Sequence, residues 1–165
     1  MHKLNSYDKE YLETAKSVAV NSSCIKRRYG CIIVNHGVIV SKGYNHSPSN
    51  DQDCSKSMKC NRPDADIGKN YDKCPSVHAE QMALVSTDSD DLKDAIMYLS
   101  CEVLTNLCKF ANDSEHCTGD CSTDCTGFDV QWVEVIDPRP CVHCERMIKY
   151  SGVSQLITQT ETINY

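Results

Sequence analysis

Twelve cysteines among 165 residues constrain this chain more than any other feature. So many thiols either pair as disulfides, chiefly in small secreted proteins, or ligate metal in a reducing compartment. The opening run from Met1 to Asp8 has no apolar signal core, so the expectation is a cytoplasmic protein whose cysteines hold metal. Length points the same way. A chain of this size can bury roughly 70% of its unfolded surface around one core and needs no covalent staples. The reading is therefore a single domain over residues 1–165, with cysteines available for chemistry.

Charge narrows the partners. Seventeen Lys and Arg stand against 23 Asp and Glu, a net charge of −6, which disfavours a surface that wraps nucleic acid by neutralising phosphates. No run approaches the roughly 18 apolar residues of a membrane span. The densest positive cluster is Lys26-Arg27-Arg28. A run of this kind is most often a solvated surface, but Arg27 and Arg28 are also candidates to bind a phosphate group.

Along the chain, Tyr7, Tyr11, Leu12, Ala15, Val18 and Ala19 recur at helical spacing behind a cap at Asn5 or Ser6, predicting an amphipathic helix that ends near Ser22 or Ser23. Residues 31–34 and 38–40 are β-rich and flank Asn35-His36-Gly37, which predicts a hairpin. From Asn45 to Val77 the sequence turns polar and loses periodicity, as functional or metal-tied loops do. Helical character over residues 78–85, a strand over 95–101, a helix over 141–150 stopped by Gly152 and a strand over 153–158 complete the alternation. Asp88 to Asp91 reads as a helix end and solvated loop. A polar, cysteine-rich insertion over about residues 102–139 interrupts this order and contains one further strand candidate, Val130 to Ile136. The alternation predicts a three-layer α/β fold in which helices flank a mixed central sheet.

Two short motifs carry the chemistry: His78-Ala79-Glu80 and Pro140-Cys141-Val142-His143-Cys144, each at the expected start of a helix. Three residues apart, Cys141 and Cys144 face one side of a turn, where helix-end amides favour thiolates. With His78 as a third ligand, a tetrahedral zinc keeps one position open to water, which distinguishes a catalytic site from a structural one. Glu80 then stands beside the metal as proton carrier. His143 reads as exposed or supporting rather than ligating. A redox pair would use the same cysteine spacing but has no need of His78 and Glu80. A purely structural zinc module would close its site with four ligands.

This pairing, H-x-E with P-C-x-x-C, is the general signature of zinc nucleobase deaminases. At these residues the chain resembles the cytidine deaminase superfamily, and within it the deoxycytidylate (dCMP) deaminases. The stretch Val77-His78-Ala79-Glu80-Gln81-Met82-Ala83-Leu84 looks like that family's first zinc helix. Gly43-Tyr44-Asn45-His46-Ser47-Pro48 resembles its substrate loop, and Met97-Tyr98-Leu99-Ser100 the strand that runs into the cysteine motif. The resemblance implies zinc-dependent hydrolysis of dCMP to dUMP and ammonia in pyrimidine metabolism. It also implies substrate contact by Asn45, and dCTP or dTTP effectors bound with Mg2+ around Gly43, Tyr44 and Asn45. A homo-oligomer, often a hexamer, goes with the family. His46 stands where the family usually has glycine, and the insertion separates strand from cysteine motif, which the family pattern does not.

Some relatives carry a second, structural zinc, for which Cys24, Cys54, Cys60 and Cys74 are candidates. Cys108, Cys117, Cys121 and Cys125, with His116 as a substitute, are candidates for another in the insertion. Deamination of a different nucleoside or nucleic-acid substrate, and a non-catalytic zinc module, are the alternative functions.

Overall fold

The computed structural model describes residues 3–49, 53–57, 60, 73–108, 128–135 and 137–165. Its first helix, α1 (Ser6–Ala19), begins as the sequence dictates. The Asn5 side chain accepts from the Asp8 N–H at 2.8 Å and the Asp8 carboxylate accepts from the Asn5 N–H at 3.0 Å, closing a capping box. The helix ends three residues short of the expected Ser22.

The hairpin joins β1 (Arg27–Asn35) to β2 (Val38–Tyr44). Asn35 pairs with Val38, so the loop is the two-residue His36-Gly37, with φ of 49° and 79°. Positive φ at both loop positions matches the right-handed twist of the strands. After a short helix α2 (Cys54–Ser57) come α3 (Ala79–Val85) and α4 (Ser89–Leu92). The acidic run expected to be a helix end and loop therefore caps and opens a one-turn helix of its own, with Asp88 at its N-cap.

The long strand β3 (Ile96–Cys108) continues into the insertion, and β4 (Phe128–Glu134) returns antiparallel to it from Cys108↔Phe128 to Glu102↔Glu134. The base of the insertion is thus a ribbon of the main sheet. Helix α5 (Val142–Ser151) stops at Gly152, whose φ of 98° needs no Cβ, and β5 (Gln155–Ile157) with β6 (Thr162–Asn164) ends the chain. The sheet order is β2-β1-β3-β5-β6, with β5 parallel to β3 and β4 on the extension of β3.

Two cores cover the two faces of this mixed sheet. Leu12, Ala15 and Val18 of α1 pack on Ile32, Val34, Tyr98 and Ile157. On the other face Ala79, Ala83 and Leu84 of α3, with Ile148 of α5, pack on Cys31, Ile33, Met97, Leu99 and Leu156. The fold is the expected three-layer α/β arrangement. Even-numbered residues of β1 face α1 and odd-numbered ones face α3 and α5, as strand alternation requires.

Two glycines set how closely the layers approach. A Cβ on Gly30 would lie 1.9 Å from the Ala15 carbonyl oxygen of α1. On Gly43 it would lie 2.1 Å from the Ala79 carbonyl oxygen of α3. Among the described residues no helix is long and apolar enough to cross a membrane.

Candidate active site

Helices α3 and α5 begin side by side on one face of the sheet, and each presents its cap residue to the other. His78 caps α3, its N–H donating to Gln81 Oε1 at 3.1 Å, and Cys141 caps α5. His78 Nδ1 lies 3.5 Å from Cys141 Sγ and 3.3 Å from Cys144 Sγ. Ligands about 2.0–2.3 Å from a tetrahedral zinc are separated by roughly 3.5 Å, so the donor set fits that ion. Among the described residues this trio is the one group of three or more metal-capable side chains gathered within 4.8 Å.

The local chemistry suits a cation. Cys141 Sγ accepts from the Cys144 N–H at 3.5 Å. Its pKa is pushed down to about 3, first by the hydrogen bond from the Cys144 thiol, then by His78 and the helix-end amide against the opposing effect of burial. The Cys144 thiol is pushed up by that same bond to Cys141, by burial and by Glu80. A metal ion held by both sulfurs would displace the proton of that bond.

Glu80 is 3% exposed, beside Cys144 but outside the trio. Burial raises its pKa, with backbone hydrogen bonding and His78 opposing. A carboxyl tuned upward in this way takes and returns protons near neutral pH more readily than an exposed one. His143, between the two cysteines, is exposed.

A cavity of about 280 Å³ opens beside the trio and is lined by His78, Glu80 and Cys141 together with Asn45, Tyr29 and Arg27. Asn45 is bolted down. Its Oδ1 accepts from the Tyr29 N–H at 2.7 Å and the Ser22 hydroxyl at 2.8 Å, and its Nδ2 donates to the Arg27 carbonyl at 2.9 Å. Next to it, His46 pairs with Val77 through both backbone groups, at 3.2 and 2.8 Å, tying this loop to the residue before His78. Gly43 is buried beneath α3, and Tyr44 is half-buried with its ring 5.2 Å from that of His46. The fold thus uses Gly43, Tyr44 and Asn45, the residues expected around an effector, to seat α3 and β1.

Strand alternation separates the two candidate phosphate ligands. Arg27 and Tyr29 face the cavity, whereas Arg28 points to the α1 face, 3.0 Å from Glu102 and with its guanidinium 3.8 Å from the centre of the Trp132 ring. Arg28 is absent from the cavity lining, because adjacent strand residues cannot share a face. The sequence reading missed Tyr29 and Arg139 as lining residues. The alternation that places Arg27 also places Tyr29 two residues on, and Arg139 directly precedes Pro140. Arg139 is held by Asp137 at 3.3 Å and Glu161 at 3.0 Å.

Cys24, Cys60 and Cys74 line the same cavity, while Cys54 opens α2 and does not line it. Cys117, Cys121, Cys125 and His116, and the side chain of Cys108, lie outside the described residues.

Comparison with known proteins agrees with this geometry. Residues 5–160 match the family described as "Cytidine and deoxycytidylate deaminase zinc-binding region". The deoxycytidylate deaminase of Schizosaccharomyces pombe is 34% identical over 104 residues, and that of Saccharomyces cerevisiae 33% over 104. Each alignment covers 61% of this chain and 32% of the relative, so the chain spans about a third of the length of these curated relatives. In fold it is similar to the crystal structure of the dCMP deaminase of cyanophage S-TIM5 in apo form, at TM-score 0.52 and 19% identity over 93% of this chain and 82% of that one. The trio and its buried carboxyl thus sit within a match that runs over nearly the whole sequence, and the chain belongs to the cytidine and deoxycytidylate deaminase zinc-binding family.

Proposed function

We propose that this protein hydrolyses dCMP to dUMP and ammonia, with zinc held by His78, Cys141 and Cys144. The observation that carries the reading is a buried carboxyl, Glu80, beside a His/Cys/Cys trio in a cavity that also presents Arg27. The curated relatives named as deoxycytidylate deaminases support the substrate.

A zinc ion at this trio would lower the pKa of a water from about 15.7 toward roughly 7. The chain supplies the rest. Glu80 carries one proton of the attacking water to ring N3 and the other to the amino nitrogen, so the C4–N bond breaks, ammonia leaves, and the water oxygen becomes the C4 carbonyl of dUMP. Burial raises the pKa of Glu80 and shields the transfer from bulk solvent. Asn45 and Tyr29 form the wall against which the nucleotide rests, and Arg27, with Lys26 and Arg139 on the same cavity, meets its phosphate. Cations at this mouth matter in a chain of net charge −6, because the substrate is itself a dianion.

The test is Glu80→Gln, which keeps shape and polarity but cannot carry the proton. Turnover of dCMP, followed by ultraviolet absorbance, is expected to fall roughly 10²- to 10⁴-fold while zinc content by mass spectrometry stays at the wild-type level. Wild-type turnover in a zinc-loaded variant would overturn the proposal.

A further inference from the structure

We propose that the root of the cysteine-rich insertion, acting through Glu102 and Trp132, positions Arg27 for the phosphate of the substrate. This rests on the nucleotide reading above and adds residues that touch no substrate.

The first three residues of β1 have no partner on β2, whose pairing begins at Gly30↔Tyr44. On that edge Asn45 fastens Arg27 and Tyr29, and Cys24 Sγ accepts from the Arg27 N–H at 3.5 Å. The other edge is supplied by the second half of β3: Arg27 pairs with Val103, Arg28 with Glu102 and Tyr29 with Cys101, and the Leu104 N–H donates to the Lys26 carbonyl at 2.9 Å. Glu102, Val103 and Leu104 belong to the insertion. Without them, the segment carrying Arg27 would have one fastened edge.

Side chains lock this edge from the far face. Arg28 is clamped between the Glu102 carboxylate at 3.0 Å and the Trp132 ring at 3.8 Å, and Trp132 itself stands opposite Leu104 in the β3–β4 ladder. The Arg28 side chain is only 17% exposed and, among the described residues, its buried Nε has no hydrogen-bond partner, so there the carboxylate and indole are the contacts that compensate its charge. Removing either leaves a largely buried guanidinium undercompensated, a condition a side chain relieves by moving toward water. That movement shifts the backbone of β1 at the residue next to Arg27. Two further ties hold β4 in place, Lys16 to Glu134 at 2.9 Å and Gln159 to Glu134 at 2.6 Å. All these contacts lie on the α1 face, opposite the cavity. Glu102 and Trp132 are therefore positioning residues.

The experiment measures kcat and KM for dCMP, and competitive inhibition by inorganic phosphate, in zinc-loaded wild type, Trp132→Ala, Trp132→Phe and Arg27→Ala. For Trp132→Ala the KM is expected to rise about three- to tenfold with kcat within about twofold, and phosphate inhibition to weaken by the same factor. Trp132→Phe keeps an aromatic face and is expected to restore most of the loss. In the Arg27→Ala background, Trp132→Ala is expected to add nothing, since the two act on one interaction. An unchanged KM, or a loss in kcat alone, overturns the proposal. Should Trp132→Ala not fold, Glu102→Gln is read by the same criteria. A wild-type enzyme that does not turn over dCMP would instead defeat the functional reading, a separate outcome.

Discussion

Replacing Gly43 with alanine places one methyl group between β2 and the helix that bears the reactive residues. That Cβ would lie 2.1 Å from the Ala79 carbonyl oxygen and 2.6 Å from the Ala83 nitrogen, both backbone atoms that no rotamer change can withdraw. Relief requires α3 to move outward by on the order of 1 Å, and a misplacement of that size can cost about 10²-fold in rate. Ala79 lies between His78 and Glu80, so the displaced turn is the one that aligns the proposed metal ligand and proton carrier. Overpacking of this kind destabilises by about 1–3 kcal/mol, equivalent to roughly 2–12 °C in melting temperature at this chain length. Gly30→Ala is the control. It makes an equally severe contact, 1.9 Å from the Ala15 carbonyl oxygen, but pushes α1 on the opposite face. Thermal melts and dCMP turnover at saturating substrate are expected to show both variants destabilised alike, with kcat falling about 100-fold only in Gly43→Ala. The reasoning fails if Gly43→Ala retains wild-type kcat, or if both variants lose it equally.

Asn45→Ala removes the acceptor for Tyr29 and Ser22 and the donor to Arg27, and calorimetry is expected to show a loss of about 1–3 kcal/mol together with a higher KM for dCMP. Asn45→Asp keeps the acceptor, loses the donor and is expected to fall between. Stability is expected to decline in alkali. Tyr29, Tyr98 and Tyr165 all have pKa values raised from 10.0, chiefly by burial, that of Tyr165 to about 12. Because the folded state keeps these protons longer than the unfolded chain does, their contribution is complete below pH 10 and is lost as pH rises beyond it. Urea midpoints measured at pH 8 and pH 11 check this, and Tyr98→Phe is expected to flatten the decline.

The parts of the fold written in local chemistry were legible in the sequence. The cap at Asn5, the tight turn before Val38 and Gly152 after α5 each act over a few residues, and the structure uses all three. The two helix starts bearing His78 and Cys141 were legible for the same reason. The rest depends on partners distant in sequence. β3 runs seven residues past the expected Cys101 because β4, twenty residues later, supplies its ladder. β6 spans three residues, too few for a period to register, and exists through pairing with β5. Arg27 and Arg28 look equivalent as a basic run until the phase of β1 is known, and that phase is set by which face packs on α1.

The parity of β1 gives two chemically identical neighbours unrelated places, one facing the cavity, the other braced inside the scaffold. Their assignment is carried by reading phase rather than by residue type. Lengthening the chain by one residue ahead of Gly30 would turn each arginine to the opposite face, whereas lengthening it by two would restore the faces but shift both side chains by roughly 6–7 Å along the strand, away from their present partners. Register in this short segment is therefore fixed by its partners as well as by parity, and a family alignment that slides by one position here would assign the cavity-facing place to the wrong arginine.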